Sequence, residues 1–211
     1  MTLTRPSPAP GTRALLDGMK GLITPDEGEA LARMAAECPA GQAIVEVGAH
    51  RGLSSCWLTL GARDGHGAHL TSIDPWPLYG SGPGPDVPWA EEGALERWME
   101  NIAGVDGWPL VTPLRATGEA VAATWAKPVG LWFHDADHSY RAVVADFRAW
   151  LPYLAPGAWI AVHDYFGSVP DGAGGWLRDG SHQRAVEDVV LPSGRFESVD
   201  VIDNLWIGRR W

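Results

Sequence analysis

Cysteine is nearly absent from this chain, with two thiols, Cys38 and Cys56, among 211 residues. They form neither a C-x-x-C pair nor a zinc-ligand spacing, so no disulfide framework or zinc finger can be drawn from them. They read as small core residues and suit a reducing compartment. Basic residues are also scarce, 16 Lys and Arg against 26 Asp and Glu, for a formal net charge of −10. No lysine- or arginine-rich stripe occurs, which removes the electrostatic footprint expected of a nucleic-acid partner. No run of about 18 apolar residues and no basic start followed by an apolar stretch is found, so neither a membrane span nor a secretory signal is expected. A cytoplasmic location is the default expectation. No internal repeat is visible.

What is present fits one domain of ordinary size, 45% hydrophobic and 20% charged, long enough to bury a sheet between two helix layers. Residues 1–23 are expected to be an N-terminal arm and the start of the first helix, and residues 24–211 the domain. Thr24-Pro-Asp-Glu27 reads as a helix start with proline at the first helical position, the helix ending near Pro39. Ile44-Val-Glu-Val-Gly48 is a short apolar run closed by glycine, as in a buried parallel strand entering a turn, with a helix from about Leu53. His69 to Asp74, Leu110 to Arg115, Gly130 to His134 and Ala158 to Val162 read as further strands. Helices are expected at about Glu91 to Ala103, Arg141 to Leu154 and Gln183 to Val190. Two apolar runs, Phe196 to Ile202 and Leu205 to Arg209, flank the turn pair Asp203-Asn204 and predict a terminal hairpin. Alternating strands and helices imply an α/β fold, a single Rossmann-like, doubly wound, mostly parallel sheet with an antiparallel C-terminal strand.

In open α/β sheets ligands lie beyond the carboxyl ends of the strands. The first end offers Glu46-Val-Gly48-Ala-His50-Arg-Gly52-Leu-Ser54-Ser55, where glycines let backbone approach a ligand and the following helix N-terminus suits an anion such as a carboxylate. An ordinary tight strand-to-helix turn is the alternative. The spacing Gly-x-x-x-Gly differs from the G-x-G-x-x-G of dinucleotide binding, and no Tyr-x-x-x-Lys dyad accompanies it. Asp74, ending the second strand, can accept hydrogen bonds from two ribose hydroxyls, or serve as a cap. The fourth strand runs into Asp135-Ala-Asp137-His138-Ser139-Tyr140 and the fifth into His163-Asp164-Tyr165. Asp135 and Asp164 are hard oxygen ligands of the kind magnesium takes, whereas His163 suits a softer divalent metal or a general base. The alternative makes Asp137 and Ser139 caps of the next helix and His138 a turn residue.

The ordered set Glu-Val-Gly-x-x-x-Gly-x-Ser-Ser, Ile-Asp-Pro-Trp, Asp-Ala-Asp-His-Ser-Tyr, Trp-Leu-Pro-x-Leu-x-Pro-Gly and Val-His-Asp-Tyr resembles small bacterial class I methyltransferases. It looks most similar to the branch with macrocin O-methyltransferase and cephalosporin or rhamnosyl O-methyltransferase-like proteins, over about Thr24 to Trp211. The resemblance implies a seven-stranded sheet, with Glu46, Gly48 and Ser54 around the methionine part of S-adenosyl-L-methionine, Asp74 on its ribose, and Thr117 or Gly118 at the adenine. The wider cofactor set adds His50, Gly52, Ser55, Pro75, Trp76 and Asp135. Branch members that need magnesium hold it with acids ending strands four and five, which map onto Asp135, His163 and Asp164. Histidine stands here for one acid, leaving metal dependence, by Mg2+ or another divalent ion, open. The expected base is His163, with His138 in reserve and Asp135 beside them.

Methyl transfer from a sulfonium is an in-line displacement in which the protein aligns donor and acceptor and removes one proton. The expected activity is O-methylation of a small-molecule hydroxyl, on a sugar, phenol or natural product. The Pro-, Gly- and Trp-rich loop at 75–90 is expected to cover the acceptor, with aromatic walls that suit a ring. The alternative is that Trp76 and Trp89 anchor the loop or a homodimer contact. The rival functions are a nicotinamide-dependent oxidoreductase and a cofactor-binding protein of the same fold without methyl transfer.

Overall fold

Five short runs become the parallel strands of one sheet. They are β1 (Ala43–Val47), β2 (Leu70–Asp74), β3 (Val111–Arg115), β4 (Val129–His134) and β5 (Leu154–Val162). The central two, β1 and β4, are buried on both faces, whereas β3, at the edge, is largely open. The structure, a computed structural model, describes residues 10–76, 91, 93–167, 169–170, 176–177 and 179–211. Residues Val169–Pro170 (β6) and Trp176–Leu177 (β7) pair separately in a small antiparallel ladder. The terminal hairpin is β8 (Phe196–Ile202) and β9 (Leu205–Arg210), turning at Asp203 and Asn204 as expected. The seven-stranded sheet has the order β3-β2-β1-β4-β5-β9-β8. β9 pairs antiparallel with β5, and β8 antiparallel with β9, so β9 alone runs against the other strands.

Helices α1 (Pro10–Gly18), α2 (Pro25–Glu37), α3 (Leu53–Asp64) and α4 (Ala94–Gly104) precede the second group α5 (Gly118–Ala122), α6 (Tyr140–Trp150) and α7 (Ser181–Ala185). α2 starts with a full capping box: the Thr24 hydroxyl accepts the Glu27 amide, and the Glu27 carboxylate accepts the Thr24 amide. Several boundaries differ from the sequence reading: α1 stands within the expected N-terminal arm, and β5 begins at Leu154 instead of Ala158. α4 begins at Ala94 instead of Glu91, after Gly93 in the left-handed region. α6 stops at Trp150, because Pro152 has no amide to continue the ladder. The helix expected over 183–190 is one α-turn followed by a π-turn, Val186–Val190. The short α5 had no periodicity to announce it.

The core lies in two clusters, one on each face of the sheet. One joins α2, α3 and α4 to β1 and β2 through Leu31, Trp57, Ile44, Leu70 and Trp98. The other joins α6 and the segment after α7 to β4 and β5 through Phe147, Trp150, Trp132, Ile160 and Val186. Among the described residues six tryptophans, Trp57, Trp76, Trp98, Trp132, Trp150 and Trp206, are fully buried and pack the interior. Trp76 is among them, T-shaped against Trp98 with ring centroids 5.6 Å apart. Residues 77–90 of the expected cover loop, with Trp89, lie outside the described residues. Among the described residues, no helix is long and apolar enough to cross a membrane.

Candidate active site

The strand ends β1, β2, β4 and β5 meet at one edge, and their closeness dictates the residue types there. Gly48 follows β1 with φ +91°, and a Cβ on it would lie 1.9 Å from the Asp135 carbonyl oxygen. Only glycine lets the β1 and β4 exits run side by side. The turn then passes through His50 at φ +44° and Gly52 at φ +88°, where α3 starts.

Asp74 organises this loop. Its Oδ2 accepts the amides of Ala49 (3.1 Å) and His50 (2.9 Å), and its Oδ1 accepts the Trp76 amide (2.8 Å). A carboxylate has about four acceptor positions, and among the described residues these amides take three. Trp76 closes the corner by donating its indole N–H to the His50 carbonyl at 2.7 Å. The Pro75 carbonyl accepts from Arg115. The His50 ring lies 3.1 Å from Glu91, which also takes both arms of the Arg51 fork. That fork, more than burial or His50, holds the Glu91 carboxyl below its usual range.

Glu46 faces inward. It is wholly buried, and its two oxygens accept the hydroxyls of Ser54 (2.6 Å), Ser55 (2.5 Å) and Ser72 (2.6 Å). Burial pushes its carboxyl up to about 7, against the pull of the three serines and with a small push from Asp135. Trp98 donates to Ser55 at 2.8 Å, tying α4 into the same cluster. Thr117 caps α5 by accepting the Ala120 amide, and Gly118 packs against Val47 and Asp146. Asp146 in turn lies 3.1 Å from the ring of buried His134.

The ends of β4 and β5 bring together Asp135, His138, His163 and Asp164. His163 Nδ1 is 3.2 Å from Asp135 and 3.5 Å from Asp164, and its Nε2 is 3.3 Å from Glu27. Both ring nitrogens thus face carboxylates, which only accept, so the ring is held as a double donor. Burial alone would lower its pKa; Asp135 first, then Asp164 and Glu27, outweigh it and raise His163 well above the ordinary value. Burial likewise works against ionised Asp135, but His163, with lesser help from His138 and His182, holds it down at about 2. His138 Nε2 lies 3.3 Å from Asp164 Oδ2. Asp164 sits at φ +49°, a strained setting for a side-chain-bearing residue, and the Asn204 amide donates to its Oδ1 at 2.9 Å. Asp135, His138 and Asp164 offer ligand atoms within 4.8 Å of one another.

A cavity of about 530 Å³ opens on this edge, lined by Leu22, Thr24, Glu27, His163, Asp164, Asp203 and Asn204. Glu27 and Asn204 were not legible as site residues. Glu27 showed only its capping position, and Asn204 only its turn pair. His182 was also missed: it is buried, its ring lies 5.3 Å from that of His138 and 5.5 Å from that of His134, and among the described residues neither of its nitrogens has a hydrogen-bond partner.

A family model described as a methyltransferase domain matches residues 45–165, from the β1 strand through Tyr165. The chain belongs to this methyltransferase domain family. It is an S-adenosylmethionine-dependent methyltransferase on the seven-stranded sheet described above. Among solved structures it is similar to an O-methyltransferase from Bacillus cereus in complex with SAH, at 17% identity and TM-score 0.68 over 97% of this chain and 92% of that one. It is similar to the O-methyltransferase TomG from Streptomyces achromogenes, involved in tomaymycin synthesis and in complex with SAM, at 19% identity and TM-score 0.62 over 94% and 86%. An rRNA methylase from Streptococcus thermophilus also matches, at 13% identity and TM-score 0.58 over 90% and 99%. At these identities the likeness is one of fold, shared by enzymes with different acceptors. The family match includes the methyltransferase's Gly48 loop, Asp74, Asp135, His138, His163 and Asp164, but leaves Glu27 and Asn204 outside.

Proposed function

We propose that this methyltransferase moves a methyl group from S-adenosylmethionine to a hydroxyl oxygen of a small-molecule acceptor seated in the cavity beside Asp164. The observation that carries this reading is the meeting, at one sheet edge, of the Asp74-organised loop with the Asp135, His138 and Asp164 cluster. In the transfer, an acceptor oxygen lone pair forms the new O–C bond while the C–S bond breaks and its electrons stay on sulfur, giving S-adenosylhomocysteine. The acceptor proton passes to the His138 imidazole, and Asp164 stabilises the resulting cation. His163, engaged on both nitrogens, serves better as a fixed donor between carboxylates than as the base.

The cofactor's ribose is proposed to use the remaining acceptor position of Asp74, with Gly48 and Gly52 admitting its methionine part, Thr117 and Gly118 bordering the adenine, and Asp135 facing the transferred group. Glu46, Ser54 and Ser55 support that loop through their own hydrogen bonds. The two-carboxylate, one-imidazole set of Asp135, Asp164 and His138 fits a divalent metal such as manganese, iron or zinc better than magnesium. Such an ion, when bound there, would occupy the His138 lone pair, so it would take over from His138 as proton acceptor and act as a Lewis acid that lowers the pKa of the acceptor hydroxyl. A cavity of this size suits a single-ring phenol, sugar or natural product, in keeping with the macrocin and cephalosporin branch.

Calorimetric titration with S-adenosylmethionine, S-adenosylhomocysteine and NADH is the test, followed by a hydroxyl-acceptor screen with EDTA, manganese or magnesium. Micromolar binding of the two sulfur nucleosides and acceptor-dependent formation of S-adenosylhomocysteine are expected. Binding of NADH alone, or of none of the three, would contradict the proposal.

A further inference from the structure

The geometry points to Glu27, a residue outside the matched family region, as a positioning residue of the methyl-transfer centre that fixes the ring of His163; this rests on the function proposed above. Glu27 is fully buried at the third position of α2, 136 residues before His163 in sequence. Its carboxylate accepts three donors from three parts of the chain. Oε2 takes the Thr24 amide at 2.7 Å and faces His163 Nε2 at 3.3 Å, while Oε1 takes the Asn204 amide at 2.9 Å. Asn204 continues outward: its side-chain amide donates to Asp164 Oδ1 at 2.9 Å, and its side-chain oxygen accepts the Phe166 amide at 2.9 Å.

One buried carboxylate therefore ties the start of α2 and the β8–β9 turn to His163 directly and, through Asn204, to Asp164, the two residues that follow β5. With Nε2–H held by Glu27, the ring must present Nδ1 to Asp135 and Asp164. An imidazole free to flip would lose that orientation. A capping role alone does not require this arrangement, since glutamine serves as well as glutamate in a capping box. Glutamine has only one accepting oxygen: placed where it keeps the Thr24 cap, it turns an NH2 group on the Asn204 amide and leaves His163 a neutral acceptor in place of a carboxylate, so Glu27→Gln keeps the cap and weakens the brace.

The test is a ring 1H–15N spectrum of the full-length, histidine-labelled protein, with and without S-adenosylhomocysteine. Wild type is expected to show a slowly exchanging, downfield His163 Nε2–H signal already in the free protein. Its absence in wild type would overturn the proposal without any variant. In Glu27→Gln the signal is expected to disappear or move upfield, while S-adenosylhomocysteine affinity stays within about threefold. With the acceptor found by the screen, kcat should fall at least tenfold and the KM for S-adenosylmethionine should stay within about threefold. An unchanged signal, an unchanged kcat, or a loss of cofactor affinity as large as the loss of kcat would each overturn it. Failure of wild type to bind S-adenosylhomocysteine would instead contradict the proposed function, since the Nε2–H signal is read without ligand.

Discussion

Single carboxylates divide the labour at this site, and their partners decide how each behaves. Glu46 titrates near 7 in the fold against an ordinary 4.5, because burial outweighs its three serine donors. Between those values the folded state holds a proton that the unfolded chain releases, so the stabilisation is full below about pH 4.5 and lost as pH rises through about 7. The retained proton is worth about 3 kcal/mol of stability. Glu46→Gln should therefore lose this part of the pH dependence and gain stability relative to wild type at pH 8, measured by urea unfolding at pH 5 and pH 8. An equal wild-type-to-variant difference at both pH values would contradict it. Asp74 accepts three backbone amides. Asp74→Asn leaves one accepting oxygen and turns an NH2 toward amide donors, so calorimetry should find S-adenosylhomocysteine bound at least tenfold more weakly; unchanged affinity would show that the loop does not depend on this carboxylate.

At the scale of elements, what could be read in advance was what local chemistry dictates. The strand cores, the start of α2 and the Asp203-Asn204 hairpin turn each follow from a few neighbouring residues and fall where the sequence places them, although β5 begins at Leu154, four residues before the expected Ala158. The edge cluster of Asp135, His138, His163 and Asp164 was legible for the same reason, since every parallel strand delivers its C-terminal residues to one side. Glu27 and Asn204 were not, because their roles arise from contacts spanning up to 177 residues and leave no local pattern. The inward turn of Glu46 was likewise hidden, depending on Ser72 of the adjacent strand. The β1 exit gives an element-scale prediction. Gly48→Ala places a methyl against the Asp135 carbonyl and strains a left-handed residue, costing at least about 3 kcal/mol. Thermal unfolding should show a drop of many degrees, whereas a drop of only one or two would mean that the β1 and β4 exits can part.

At the scale of the whole molecule, the sheet order places β1 and β4 at the centre with chain connections leaving in opposite directions, the point where open α/β sheets hold ligands. The terminal hairpin extends the sheet beyond β5 and returns Asn204 to the edge, so the last strands help to build the cavity wall. The central claim is that this edge transfers a methyl group with His138 taking the proton. The most direct measurement is transfer of isotopically labelled methyl from S-adenosylmethionine to a panel of phenolic and sugar hydroxyls, comparing wild type with His138→Gln. Wild type should label an acceptor and release equimolar S-adenosylhomocysteine, and His138→Gln should be slower by about 100-fold or more with S-adenosylhomocysteine affinity retained. Label transfer undiminished in His138→Gln, or no label transferred to any hydroxyl by a wild type that binds the cofactor, would contradict the account.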